Sequence, residues 1–220
     1  MKITRLSGRG VLMNKVEKSP SIDVDIESLK NSNDTLIYDI EANGLVEDST
    51  EIWCISAKPF REDIRFRFWN RGPLLKGPND FELNRENLID IFSRYKKFVC
   101  HNQIFYDLKM LKKFFDIDLR DYGYIIDTFV ISQLLNPDRE LPKGCPTSIK
   151  PPRELIKQGF KTKKIGPHGL EAWGYRVGVK KIEIHDWTNF HPSIIERCDI
   201  DVEINEAAYE LMIKEGNLCL

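Results

Sequence analysis

Thr35-Leu36-Ile37-Tyr38-Asp39-Ile40-Glu41-Ala42-Asn43-Gly44-Leu45 is an apolar run that ends in two acids and a glycine turn. Along a strand, side chains alternate faces, so Asp39 and Glu41 project from the same side. Two neighbouring carboxylates make each other harder to ionise unless cations neutralise them. Hard divalent metals with oxygen ligands are the usual partners. An isolated pair of acids beside a turn is more often solvated surface. The metal reading therefore depends on further acids arriving from elsewhere in the chain.

Two more segments supply them. Phe98-Val99-Cys100-His101-Asn102-Gln103-Ile104-Phe105-Tyr106-Asp107 reads as a short apolar strand, a polar turn and a helix start. Spacings of three and four through Leu108, Leu111 and Phe115 predict one buried helical face. Asp107 falls in the opening turn, where the helix dipole favours an acid. Farther on, Ile194, Cys198, Asp201 and Asn205 share one helical face by period. An acid on an otherwise apolar face needs a partner, because an unpaired buried carboxylate is costly. Asp199 lies on another side of that helix and is the weaker ligand candidate.

Taken in order, these segments resemble the three motifs of the DnaQ-like, or DEDD, superfamily of 3′–5′ exonucleases. Asp39-Ile40-Glu41 resembles the first, His101-Asn102 through Tyr106-Asp107 the second, and Asp201 the third. His168-Gly169-Leu170-Glu171-Ala172-Trp173-Gly174-Tyr175-Arg176-Val177-Gly178 resembles a segment of the proofreading domains of polymerase I-type, thioredoxin-recruiting phage replicases. Ile126-Asp127-Thr128, then Ser132, Gln133 and Leu134, fit the same group. The resemblance spans Asp34 to Met212. It implies an α/β ribonuclease H-like fold, with a mixed sheet containing an antiparallel meander flanked by helices. It also implies two Mg²⁺ ions, replaceable by Mn²⁺: Asp39, Glu41 and Asp201 would hold one, and Asp39 the other, with Asp107 reaching it through water.

One position departs from the pattern. The superfamily places a tyrosine four residues before the last acid or a histidine five before it, where this chain has Arg197 and Glu196. Arginine has five donors and no acceptor, so it cannot orient a water as a tyrosine hydroxyl does. Three roles are open to Arg197: gripping the scissile phosphate, competing with metal for Asp201 four positions on, or facing solvent.

By that resemblance the 220 residues are expected to divide into an amino-terminal extension, 1–33, in which Val11-Leu12-Met13 could add a short strand, and an exonuclease domain, 34–220. With 41% hydrophobic and 30% charged residues, the composition excludes a disordered chain. No apolar run reaches transmembrane length and no signal peptide is evident, so the expectation is a cytoplasmic protein without a membrane partner. Five cysteines without paired spacing read as reduced core thiols rather than a zinc site. Leu36–Ile40, Ile52–Ala57 and Ile64–Trp69 predict the meander, with Lys58–Asp63 as a turn. Asn84 is expected to cap a helix with an apolar stripe of Leu88, Ile91, Phe92 and Tyr95, and Asp127 to cap one over Phe129–Leu135.

Asn136 to Pro167 reads as a long irregular segment rich in proline and lysine. Net charge is only −1, so its lysines form a local patch. Lys157, Lys161, Lys163 and Lys164 are the candidates for guiding a phosphate backbone; a solvated loop is the alternative. His101, Asn102, Tyr106 and His168 are further nucleic-acid candidates, His168 with a structural alternative. Phe105 and Trp173 could stack bases or belong to the core. The expected activity is exonucleolytic hydrolysis at single-stranded or frayed DNA 3′ ends. Because the chain stops at Leu220, soon after the helix of Asp201, a free-standing phage proofreading subunit with a separate DNA polymerase partner is expected. An exoribonuclease of the same fold, or a binding module whose chemistry has lapsed at Arg197, are the alternatives.

Overall fold

A computed structural model describes residues 34–70, 77–151, 153–157, 161–184, 187 and 189–217. The extension, including Val11-Leu12-Met13, lies outside them, as does Cys219. Strands β1 (Thr35–Ala42), β2 (Ile52–Pro59) and β3 (Phe66–Trp69) form the expected antiparallel meander. β4 (Asp80–Glu82) adds in parallel to β3; β5 (Lys97–Cys100) and β6 (Tyr124–Asp127) extend the other edge in parallel. The six-stranded order is β4-β3-β2-β1-β5-β6, a mixed sheet with β1 near its centre.

Central placement explains why β1 is apolar on both faces. Leu36, Tyr38 and Ile40 pack with α1 (Arg85–Phe92) and α2 (Asp107–Phe115) through Leu88, Ile91, Met110 and Leu111. Ile37 points the opposite way, into a cluster with Val202 and Tyr209 of α6 (Ser193–Gly216). Asp39 and Glu41 share the parity of Ile37, so the strand aims both acids at α6.

Local signals set the helix starts. Asn84 accepts from Asn87 N at 2.9 Å and caps α1. Asp127 caps α3 (Thr128–Leu135), accepting from Phe129 N at 3.0 Å. Tyr95 lies beyond the end of α1 but still packs on the core. In α2 the deeply buried apolar residues are Met110 and Leu111, while Leu108 and Phe115 are half-buried; the face is rotated from the expected stripe.

The stretch from Asn136 to Pro167 is not wholly irregular. It holds α4 (Arg153–Lys157) and a two-stranded ribbon of β7 (Ser148–Ile149) and β8 (Lys163–Lys164). Beyond it, α5 (Leu170–Val177) packs on α6 through Trp173 and Ile204. Gly178 ends α5 in the left-handed conformation, φ 76°, where glycine carries no steric penalty. The chain then folds back tightly: a Cβ on Gly174 would lie 2.7 Å from the Val179 carbonyl oxygen. That close approach fixes where Lys181 emerges.

Candidate active site

Asp39, Glu41 and Asp201 present ligand oxygens that all lie within 4.8 Å of one another. β1 brings the first two, and the buried face of α6 brings the third, with Asp201 only 4% exposed. A second group forms around Asp39 from Cys100 and Asp107, again within 4.8 Å. Asp39 is thus common to both. Asp107 is the first residue of α2 and is buried, held where β5 turns into the helix.

The loop that delivers Asp107 is tied down by Asp127. Its carboxylate accepts from Asn102 N at 2.9 Å and Ile104 N at 3.1 Å while also capping α3. Asn102 takes a positive φ of 65°, a conformation asparagine tolerates better than most residues. Gln103 is fully buried, donating to the carbonyls of Phe98 and Ile126 and accepting from the Tyr38 hydroxyl. Tyr106 donates to the Gly44 carbonyl at 3.0 Å and so links this loop to the turn after β1.

Crowding shows in the protonation of the acids. Burial first, then Asp201, pushes the Glu41 carboxyl up to about 7, against the pull of Arg197 and Lys181. Burial likewise raises Asp107 to about 7, although hydrogen bonds from the Cys100 thiol and its own backbone oppose it. Asp39 is raised well above the usual carboxylate range by burial and by Asp201 and Glu41. The Cys100 thiol is itself pushed up by burial, so it stays protonated and serves as a donor to Asp107. Cys198 donates to the Asp39 carbonyl oxygen at 3.3 Å.

Two cations enter the cluster. Arg197 Nε lies 3.1 Å from Glu41 Oε1 and 3.9 Å from Asp201 Oδ2, and its guanidinium sits 5.4 Å from the centroid of the Trp187 ring. The solvent-facing role is overturned, and the direct partner of Arg197 is Glu41 rather than Asp201. Asp201 is taken by a residue the sequence reading missed: Lys181 Nζ lies 2.6 Å from Oδ2, with both side chains buried. Lys181 follows a glycine-ended helix and sits in an irregular stretch, so no periodicity announced it.

A cavity of about 330 Å³ opens over Asp39 and Asp201, bounded by His101, Asn102, Lys163 and Lys164. Lys161 and Lys163 border a neighbouring cavity with Arg197 and Trp187. Lys157, in α4, is exposed and borders neither. His101 is held neutral, its ring pushed down to about 3 by burial first and then by the Lys181 ammonium; its Nδ1 lies 3.0 Å from Thr128 Oγ1. His168 is buried, with Nδ1 2.9 Å from Ser132 Oγ and Nε2 3.4 Å from the Pro137 carbonyl oxygen. Those bonds commit it to joining α3 and α5, so the structure supports its structural alternative over strand contact. Trp173 is core, with the Arg139 and Arg176 guanidiniums 4.9 and 4.8 Å from its ring centroid, and cannot stack a base. Phe105, 62% exposed, can.

The donor set suits hard divalent ions. Among the described residues Asp201 Oδ1 is buried without a hydrogen-bond partner, an arrangement that costs free energy until something occupies it.

Residues 36–140 match the family model of the RNase H superfamily. The chain has a ribonuclease H-like fold. Two DNA-directed DNA polymerases are related to it, from Enterobacteria phage T3 (27% identical over 204 residues) and Escherichia phage T7 (27% over 206). Each alignment covers 82% of this chain and 27% of the polymerase, so the chain spans about a quarter of the length of these relatives. Among solved structures, Brucella melitensis NrnC superposes with a TM-score of 0.52 at 14% identity, over 84% of this chain and 74% of that one. An apo nuclease gives 0.52 at 15% identity, over 86% and 76%. These two likenesses establish the fold alone. The kinship with phage replicases expected from the motifs is borne out by the two polymerase matches. Among the described residues no helix is long and apolar enough to cross a membrane.

Proposed function

We propose that the chain is a metal-dependent 3′–5′ exonuclease acting on single-stranded or frayed DNA ends. The observation that carries this reading is the set of carboxylates from β1, α2 and α6 converging on Asp39 beneath a lysine-rimmed cavity. Asp39, Glu41 and Asp201 would hold one Mg²⁺ or Mn²⁺, and Asp39 with Asp107 a second. Bound there, such ions supply a nucleophilic water at neutral pH and neutralise charge on the departing oxygen.

The remaining residues bind and orient. Lys163 and Lys164 draw the phosphate backbone to the cavity. His101 and Asn102 form its wall beside the acids. Arg197 holds Glu41 in place, and its forked guanidinium is suited to a phosphate once that carboxylate turns to a metal. Phe105 offers an exposed ring on which a base can stack. The partner by kinship is a DNA polymerase, and the compartment is the cytoplasm in which it works.

A second reading has one observation in its favour: Lys181 and Arg197 already neutralise two of the acids, as they would in a binding module without chemistry. Digestion of 5′-labelled single strands of DNA and RNA, with Mg²⁺ or with EDTA, separates these readings. A ladder shortening from the 3′ end, dependent on metal and faster on DNA, is expected. Faster RNA trimming transfers the function to an exoribonuclease. Binding without cleavage in any divalent metal establishes the lapsed module.

A further inference from the structure

Lys181 does not behave as an ordinary structural lysine. It is 9% exposed overall, and its ammonium is 2.6 Å from Asp201 Oδ2. Burying an ion pair is a poor route to stability, because desolvation offsets most of the attraction. The fold nevertheless secures it there: Gly178 ends α5, Val179 N donates to the Gly174 carbonyl at 2.9 Å, and the close packing on Gly174 directs the following residues inward. The same lysine borders the cavity together with Asp39, Lys163 and Lys164.

Asp201 is therefore occupied on one oxygen and unsatisfied on the other. A dication on this carboxylate would lie within a few ångströms of the ammonium, where like charges in a partly desolvated site repel strongly. Four rotatable bonds let a lysine head swing away while its backbone stays fixed. The open direction is the cavity.

We propose that Lys181 is a resident cation of the metal centre: it neutralises Asp201 until a divalent ion arrives, and is then displaced into the cavity to meet the incoming phosphate. This rests on the metal-dependent reading above and adds a residue to it. Metal loading and strand capture are thereby linked, since the charge released from one becomes available to the other.

Calorimetric Mn²⁺ titration of wild type, Lys181→Met and Lys181→Arg tests the first half. Lys181→Met should bind Mn²⁺ at least about tenfold more tightly, as expected when a unit charge leaves the site, while Lys181→Arg stays near wild type. Anisotropy of a labelled oligothymidine with Ca²⁺ tests the second: Lys181→Met should bind the strand several-fold more weakly. Equal or weaker Mn²⁺ binding by Lys181→Met overturns the displacement, and unchanged strand affinity overturns the phosphate contact. A Lys181→Met chain that folds only with Mn²⁺ supports the proposal; one that folds under neither condition refutes it, since metal then cannot replace the lysine. If wild type and Lys181→Met both take up no Mn²⁺, the metal-dependent reading itself fails.

Discussion

Acidification should stabilise the metal-free protein, which inverts the usual behaviour of a chain rich in carboxylates. Glu41 rises from 4.5 to about 7 and Asp107 from 3.8 to about 7 on folding. Both folded values exceed the unfolded ones, so the folded state binds more protons in the window between them. Stability is then fully gained below the unfolded values and lost as pH rises through about 7. From pH 8 to pH 5 the two groups contribute about 5 kcal/mol at 1.36 kcal/mol per unit. His101 works the other way. Its folded value falls from 6.5 to about 3, so the unfolded chain takes up its proton first. That withdraws about 2 kcal/mol at pH 5, leaving a net gain of about 3 kcal/mol. For a domain of this size the gain corresponds to a Tm about 6–12 °C higher at pH 5 than at pH 8. Thermal unfolding followed by circular dichroism in EDTA measures it. Asp39 is raised too and acts in the same sense, so the Glu41→Gln, Asp107→Asn double variant should lose most of the gain, and excess Mg²⁺ should remove it from wild type by keeping the carboxylates ionised. A Tm in EDTA that is flat or falls on acidification would refute the reasoning.

Converting Asp39 and Glu41 together to alanine should abolish nuclease activity in the strand-digestion assay while the Tm in EDTA holds or rises, because the repulsion goes with them. Arg197→Ala should free Glu41 and tighten Mn²⁺ binding by several-fold in calorimetry, with slower turnover if the guanidinium also meets the phosphate. Changing Lys163 and Lys164 to glutamine should lower the salt slope of single-strand binding by about 1.4, at about 0.7 per phosphate contact. Lys157→Gln, placed away from both cavities, should leave that slope unchanged.

What was legible in the chain was whatever local chemistry sets. A period of two put Asp39 and Glu41 on one strand face, and a period of 3.6 put Ile194, Cys198, Asp201 and Asn205 on one buried helix face. Asn84 and Asp127 declared themselves as caps because short polar side chains satisfy free helix-end amides. The rest depended on tertiary position. Glu41 is 156 residues from Arg197, and nothing near either one names the other. Lys181 reaches Asp201 from a loop, where no periodicity exists to read. A ribbon of two-residue strands is too short to alternate, so β7 and β8 passed as irregular chain. His168 and Trp173 carried polar or aromatic signals of binding, yet the packing of α3 against α5 had already claimed them.

The helix that carries Asp201 bears a second row of acids facing the meander. Asp199 accepts from Ser56 Oγ at 2.6 Å and Arg67 Nε at 2.8 Å, Glu203 from Arg65, Glu206 from Lys58 and the Arg61 amide, and Glu210 from Arg61. Any one exposed pair of this kind would contribute little. Together they work as a zip fastener along α6 from Asp199 to Glu210, closing it onto β2, the turn that follows and the start of β3. The mutual repulsion of Asp39, Glu41 and Asp201 pushes along the same contact in the opposite sense. The spacing of the carboxylates of β1 and α6 is thus set by teeth that lie outside the candidate site, and the frame holds them together against their own repulsion.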